Sequence, residues 1–100
     1  MGDSDSALST LLAAEAVREV LARYCERLDE YDLDGTAATF TDDVVTDYGP
    51  GRGGRVEGRV AVRDRIARGQ STFRRTHHQL GQSRIEVDGA SATAVTYVTA

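Results

Sequence analysis

One amphipathic stretch constrains this chain more than any other. Val17, Val20, Leu21, Tyr24 and Leu28 recur at three- and four-residue steps, which predicts a helix over residues 7–31. Leu8, Leu11 and Leu12 extend the stripe backwards, and Ser6 or Ser9 could cap its start. Glu15, Arg18, Glu19, Arg23 and Glu26 occupy the other face at spacings that suit ion pairs. At about 100° per residue, Asp29 falls beside Cys25 on the margin of the apolar face. There a carboxylate can point along the core boundary into a cavity. It is also close to the helix C-terminus, where its charge opposes the dipole.

The rest of the chain must cover that helix with few residues. At 100 residues it is one domain at most. The first residues, Met-Gly-Asp-Ser-Asp-Ser, lack the basic and apolar regions of a secretion signal. Gly2 and Ser6 match an acylation pattern formally, but two acidic residues crowd it and no basic patch follows. Residues 1–7 are therefore expected to be a disordered leader. No apolar run approaches the roughly 20 residues of a membrane span, so no membrane partner is expected. The single cysteine cannot form an intrachain disulfide. With no secretion signal either, a cytoplasmic location is expected. A net charge of −4 argues against a nucleic-acid partner. Every basic residue is arginine, which excludes a Schiff-base or phosphate-loop lysine.

Asp32 to Phe40 reads as a short second helix, with Asp32 as N-cap and Asp34 in its first turn. The acidic cluster does not make a calcium loop. With Gly35 at the sixth position, Thr41 stands where a bidentate glutamate is needed. Val44 to Tyr48 reads as a strand with Val44, Thr46 and Tyr48 on one face. Gly49 to Gly54 is a loop by composition, a mobile connection or a lid bearing Arg52 or Arg55. A short strand follows at Arg55–Glu57. Gly58 opens a third helix that Gly69 is expected to cap, with a solvated face of Arg59, Arg63, Asp64, Arg65 and Arg68.

Thr72 to Val87 reads as a long strand with a bulge at Gly81. His78 and Leu80 share one parity, Ile85 and Val87 the other, and the bulge puts all four on one face. His77 then points outward and His78 inward. Adjacent histidines on opposite faces cannot share one ion, so no metal is expected. Asp88-Gly89 turns the chain into a returning strand with Ala92, Ala94 and Tyr97. The sequence stops at Thr99-Ala100 inside that strand, so the domain over residues 8–100 is expected to be incomplete at its C-terminus.

Taken in order, several segments resemble the SnoaL-like branch of the nuclear transport factor two-like superfamily, which includes polyketide cyclases and scytalone-type dehydratases. They are Arg23-Tyr24, Leu28-Asp29, Asp32-Leu33-Asp34-Gly35, Phe40-Thr41-Asp42-Asp43, Gly58, Thr76-His77-His78 and Ile85-Glu86-Val87-Asp88-Gly89. The resemblance implies an α+β fold: a cone-like curved antiparallel or mixed sheet wrapped around an N-terminal helix pair and a third helix, enclosing a pocket. The dehydratases' essential aspartate corresponds to Asp29 and their carbonyl-polarising tyrosine to Tyr48. One of their histidines follows an Arg-Thr-X-His sequence, here Arg75-Thr76-His77-His78. Where they carry a tyrosine beside the aspartate, this chain has Leu28, and their second histidine would fall past Ala100.

The function that the resemblance implies is that of a cofactor-independent acid–base enzyme acting on a small hydrophobic carbonyl compound, a dehydratase or a related cyclase or isomerase. Asp29, His78 and Tyr48 are the expected catalytic groups. Tyr24, Cys25, Leu28, Leu80 and Tyr97 are the expected substrate-binding groups. No cofactor is needed, and a homo-oligomer, dimer or trimer, is expected. The alternative is a non-catalytic ligand-binding or assembly module, like the small subunits that brace ring-hydroxylating dioxygenases.

Overall fold

A computed structural model describes residues 2–100. Among the described residues the protein is α+β, with three helices and two antiparallel pairs of strands. In order these are α1 (Asp3–Asp29), α2 (Leu33–Ala37), β1 (Val45–Asp47), β2 (Arg55–Glu57), α3 (Arg59–Gln70), β3 (Gln79–Asp88) and β4 (Ser91–Thr99). Strand β1 pairs with β2 and β3 with β4. Among the described residues no helix is long and apolar enough to cross a membrane. The chain divides into two compact units, Arg23–His77 and Met1–Ala22 with His78–Ala100.

Helix α1 begins at Asp3, so the described residues of the expected leader are helical from there on. The Ser6 N–H donates to the Gly2 carbonyl at 2.9 Å, which puts Ser6 inside the helix and not at its cap. Asp3 and Asp5 in the first turn favour this earlier start through the helix dipole. The helix stops at Asp29, short of the expected 31, because Tyr31 takes φ +59°. The Tyr31 N–H donates to Leu28 O at 3.1 Å and the Asp32 N–H to Arg27 O at 3.0 Å. Those two bonds are a Schellman motif with tyrosine in the left-handed position usually held by glycine.

The unit over Arg23–His77 holds the protein's buried core. Leu28, Val62 and Ile66 form it, with Tyr24, Leu33, Phe40, Val44 and Val56 packed around them. Tyr24 and Phe40 meet at 5.7 Å between ring centroids. The Asp32 side chain caps α2, accepting from the Gly35 N–H at 2.9 Å. Val44, Thr46 and Tyr48 are half-buried while Val45 and Asp47 are exposed, the alternation of a strand with one covered face. Helix α3 buries Val62, Ile66 and Gln70 at four-residue spacing.

Two expectations about α3 are corrected. Gly69 lies within the helix, and Ser71 is the C-cap with an ordinary right-handed backbone. The charged face is also not simply solvated. Arg59 bonds the Phe40 carbonyl through Nε and Nη2 and pairs with Asp42 at 2.8 Å. Arg63 pairs with Asp34 at 2.7 Å. Both fasten α3 to the segment around α2.

The other unit contains the β3–β4 hairpin. Leu80 opposes Val98 and Ser83 opposes Thr96, so β3 carries one extra residue between them. This is the bulge expected at Gly81, and it leaves Leu80, Ser83, Ile85 and Val87 as the less exposed residues of β3. The expected strand from Thr72 is shorter, since β3 starts only at Gln79. Residues before it are held by side chains: the Tyr31 hydroxyl donates to Phe73 O at 2.8 Å, and Thr76 bonds Asp29. Those bonds hold the chain against the end of α1, so it forms no ladder there.

Candidate active site

Asp29 sits in the last turn of α1, half-buried, one residue beyond the buried Leu28 and four beyond the buried Cys25. A charge here opposes the helix dipole, and hydrogen bonds offset that cost. The Thr76 hydroxyl donates to Asp29 Oδ1 at 2.9 Å. Gln70 is buried at the end of α3, and its Nε2 donates to Leu28 O at 2.9 Å and to Thr76 Oγ1 at 3.3 Å. A hydroxyl that accepts from an amide has its own hydrogen to give. Gln70 thus commits the Thr76 hydrogen to Asp29 and holds the open end of α1 at the same time. The Cys25 thiol is pushed up by burial and then by the nearby Asp29 charge, which favours the neutral thiol over the nucleophilic thiolate.

Tyr48 stands just after β1, on the half-buried face shared with Val44 and Thr46. The Arg65 guanidinium lies over its ring, 4.3 Å from the centroid. The Tyr24 phenol belongs to the same region and is pushed up to about 12 by burial first, then by Tyr48 and Cys25. It keeps its proton at any physiological pH and can only donate or accept as a neutral group. The Thr46 hydroxyl, on the same strand face, is buried with no hydrogen-bond partner.

His78, Leu80 and Tyr97 belong to the unit with the hairpin. His78 immediately precedes β3 and is half-buried, whereas His77 is exposed. Leu80 lines an apolar groove of about 390 Å³ with Leu21 and Ala22 of α1. Tyr97 differs from expectation. Val98 opposes Leu80 and Thr96 opposes Ser83, so Tyr97 between them projects from the other face of the hairpin, where it is 73% exposed. It cannot share a wall with Leu80.

Gln70, Thr76 and Arg65 contact the candidate groups or their neighbours, and sequence reasoning does not single them out. Thr76 is visible only as part of the Arg-Thr-X-His segment. Gln70 has a signal too, as the one polar residue continuing the Val62–Ile66 stripe. Arg65 has none, because its partners are a ring and a carbonyl from distant segments. Among the described residues no group of three His, Cys, Asp or Glu side chains could hold a metal ion.

Comparison with known proteins adds a family and a set of similar folds. The model of the SnoaL-like domain matches residues 9–100. No curated protein matches. A crystal structure of a candidate scytalone dehydratase from Novosphingobium aromaticivorans is 27% identical with a TM-score of 0.74, over 88% of this chain and 58% of that one. A protein from Catenulispora acidiphila is 27% identical with a TM-score of 0.72, over 95% of this chain and 66% of its own. ActVI-ORFA from Streptomyces coelicolor shares the fold at 23% identity and a TM-score of 0.73, over 88% of this chain and 66% of its own. The chain therefore spans 58–66% of the length of these solved structures.

Proposed function

The chain belongs to the SnoaL-like domain family, and from that premise we propose that it is a cofactor-independent dehydratase acting on a small hydrophobic β-hydroxy carbonyl compound. In this reading His78 takes the proton from the carbon beside the carbonyl. The electron pair moves into the enolate, whose oxygen accepts a hydrogen bond from Tyr48, with the neutral Tyr24 as a second donor. As the enolate collapses, the β-hydroxyl departs with the proton that His78 returns. Water leaves and a conjugated enone remains. Asp29 is the carboxylate proposed to accept the other imidazole N–H and so fix the tautomer. Leu28, Cys25 and Leu80 are the proposed apolar contacts of the substrate. Cyclisation or isomerisation would use the same groups on a different substrate.

The observation that carries this reading is the bond from Thr76 to Asp29. It ties the chain two residues before His78 to the carboxylate at the end of α1. Similarity to a candidate scytalone dehydratase supports the same reaction class. The test is turnover of a panel of aromatic β-hydroxyketones, beginning with the benzaldehyde–acetone aldol, whose dehydration product is a chromophoric enone. Asp29→Asn and His78→Ala should each lower turnover by about 10²–10⁴-fold. The double variant should lose little more than either single one, since the two groups act as a unit. Asp29→Asn that stays within about tenfold of wild type, or a wild type that dehydrates no member of the panel, overturns the reading.

A further inference from the structure

Arg65 has an arrangement that the elimination chemistry leaves unassigned. It projects from α3, and its guanidinium lies over the Tyr48 ring at 4.3 Å. Its Nε and Nη2 both donate to the carbonyl of Arg52, at 3.3 and 2.9 Å. Arg52 belongs to the glycine loop over residues 49–54, which on composition alone had no anchor. The loop also joins Tyr48 through the backbone, since the Tyr48 N–H donates to Gly54 O at 2.9 Å. Two positions without side chains leave room for the guanidinium. A Cβ on Gly53 would lie 3.1 Å from Arg65 Nε, and one on Gly69 would lie 3.0 Å from Nη1. This accounts for a glycine inside α3, where it would otherwise weaken the helix.

We propose that Arg65 is a positioning residue that holds the glycine loop and the Tyr48 ring as one body and strengthens the phenol as a hydrogen-bond donor. The second half rests on the reading of Tyr48 as the donor to the enolate. A cation on the face of a ring is attracted by its π density and polarises it. As the phenol shares its proton with a developing oxyanion, the charge gathering on the ring faces a fixed positive charge. The planar fork is needed as well as the charge. A lysine could sit over the ring, but it could not bond the Arg52 carbonyl from two nitrogens while stacked.

Three variants test this, Arg65→Gln, Arg65→Lys and Gly69→Ala, with Tyr48→Phe as the reference. Arg65→Gln should speed amide exchange at Arg52 and Gly54 by about tenfold or more, with Arg65→Lys intermediate. Gly69→Ala keeps the arginine and favours the helix, yet it crowds the guanidinium. It should therefore speed exchange in the loop while leaving thermal stability equal or higher. In protein carrying carbon-labelled tyrosine, the ring ζ-carbon resonance of Tyr48, assigned with Tyr48→Phe, should move in Arg65→Gln and move less in Arg65→Lys. On the benzaldehyde–acetone aldol, Arg65→Gln should lower kcat with KM little changed, and add no loss to Tyr48→Phe. Loop exchange within about twofold of wild type in both Arg65→Gln and Gly69→Ala overturns the clamp. An unmoved Tyr48 resonance overturns the polarisation. Neither measurement needs turnover, so a wild type inactive on every member of the panel removes the dehydratase reading and still leaves Arg65 decided.

Discussion

Tyr24 shows how one residue's position on α1 becomes a chemical property. It lies one turn before Leu28 on the apolar stripe, against Phe40, and burial is the first cause that pushes its phenol up to about 12. Tyr48 and Cys25 add to the shift. The folded chain thus holds this proton longer than the unfolded chain, whose phenol loses it near 10.0. Between those values the unfolded state binds fewer protons, so stability falls as pH rises through that window and is unaffected by this group below it. Alkaline titration followed at the phenolate absorption band should show one of the four tyrosines ionising last. In Tyr24→Phe that late phase should vanish, and the loss of stability between about pH 10 and 12 should be smaller. A late phase that survives Tyr24→Phe would mean the most buried phenol is another one.

At the scale of elements, the end of α1 stores strain for a purpose that can be read from its bonds. Tyr31 at φ +59° costs on the order of 1–2 kcal/mol relative to an ordinary backbone. Its hydroxyl reaches Phe73 O at 2.8 Å, which brings the segment after α3 to the end of α1. Glycine would relieve the strain and lose the anchor, while phenylalanine would keep the strain and lose the anchor. Tyr31→Phe should therefore cost about 0.5–1 kcal/mol in urea unfolding, the worth of one partly exposed hydrogen bond. Tyr31→Gly should come out no worse than Tyr31→Phe, because strain relief of that size offsets the lost ring contact and the added backbone freedom. Tyr31→Gly markedly less stable than Tyr31→Phe would show that the ring's packing, and not the bond, holds the turn.

At the scale of the whole molecule, burial is uneven. The unit over Arg23–His77 contains Leu28, Val62 and Ile66, with Val62 fully buried. In the other unit Leu8, Leu11 and Leu12 of α1 are exposed, as are Val95, Tyr97 and Val98 of β4. Ile66→Ala should cost about 2–5 kcal/mol, the lost transfer energy plus a cavity at the centre of the core. Leu11→Ala, at 67% exposure, should stay within about 0.5 kcal/mol. Urea unfolding of both variants checks this, and comparable losses would mean that Leu11 is covered in solution.

Periodicity and turn chemistry alone determined the order and type of the elements of this protein, but not all of their ends. The helix that the Val17–Leu28 stripe predicts, the Asp32 cap, the alternation from Val44 to Tyr48 and the parity break at Gly81 all reappear in the structure, because each depends on neighbours along the chain, although Val20 of the stripe is exposed. The family was legible in the same way, from short segments in a fixed order. Tertiary structure decided what depends on partners far away in sequence. Residues 72–78 have strand propensity, yet Tyr31, Gln70 and Asp29 hold them through side-chain bonds that no local pattern announces. Gly69 resembles a helix cap, and its lack of a side chain instead makes room for Arg65. Tyr97 has the composition of a wall residue, and only the pairing of β3 with β4 settles its face. Asp29 could be placed on the helix margin from sequence, but the hydroxyl that orients it comes from Thr76, 47 residues away. A side chain's hydrogen-bond partner is set by the folded chain's path, and local sequence carries almost no record of it.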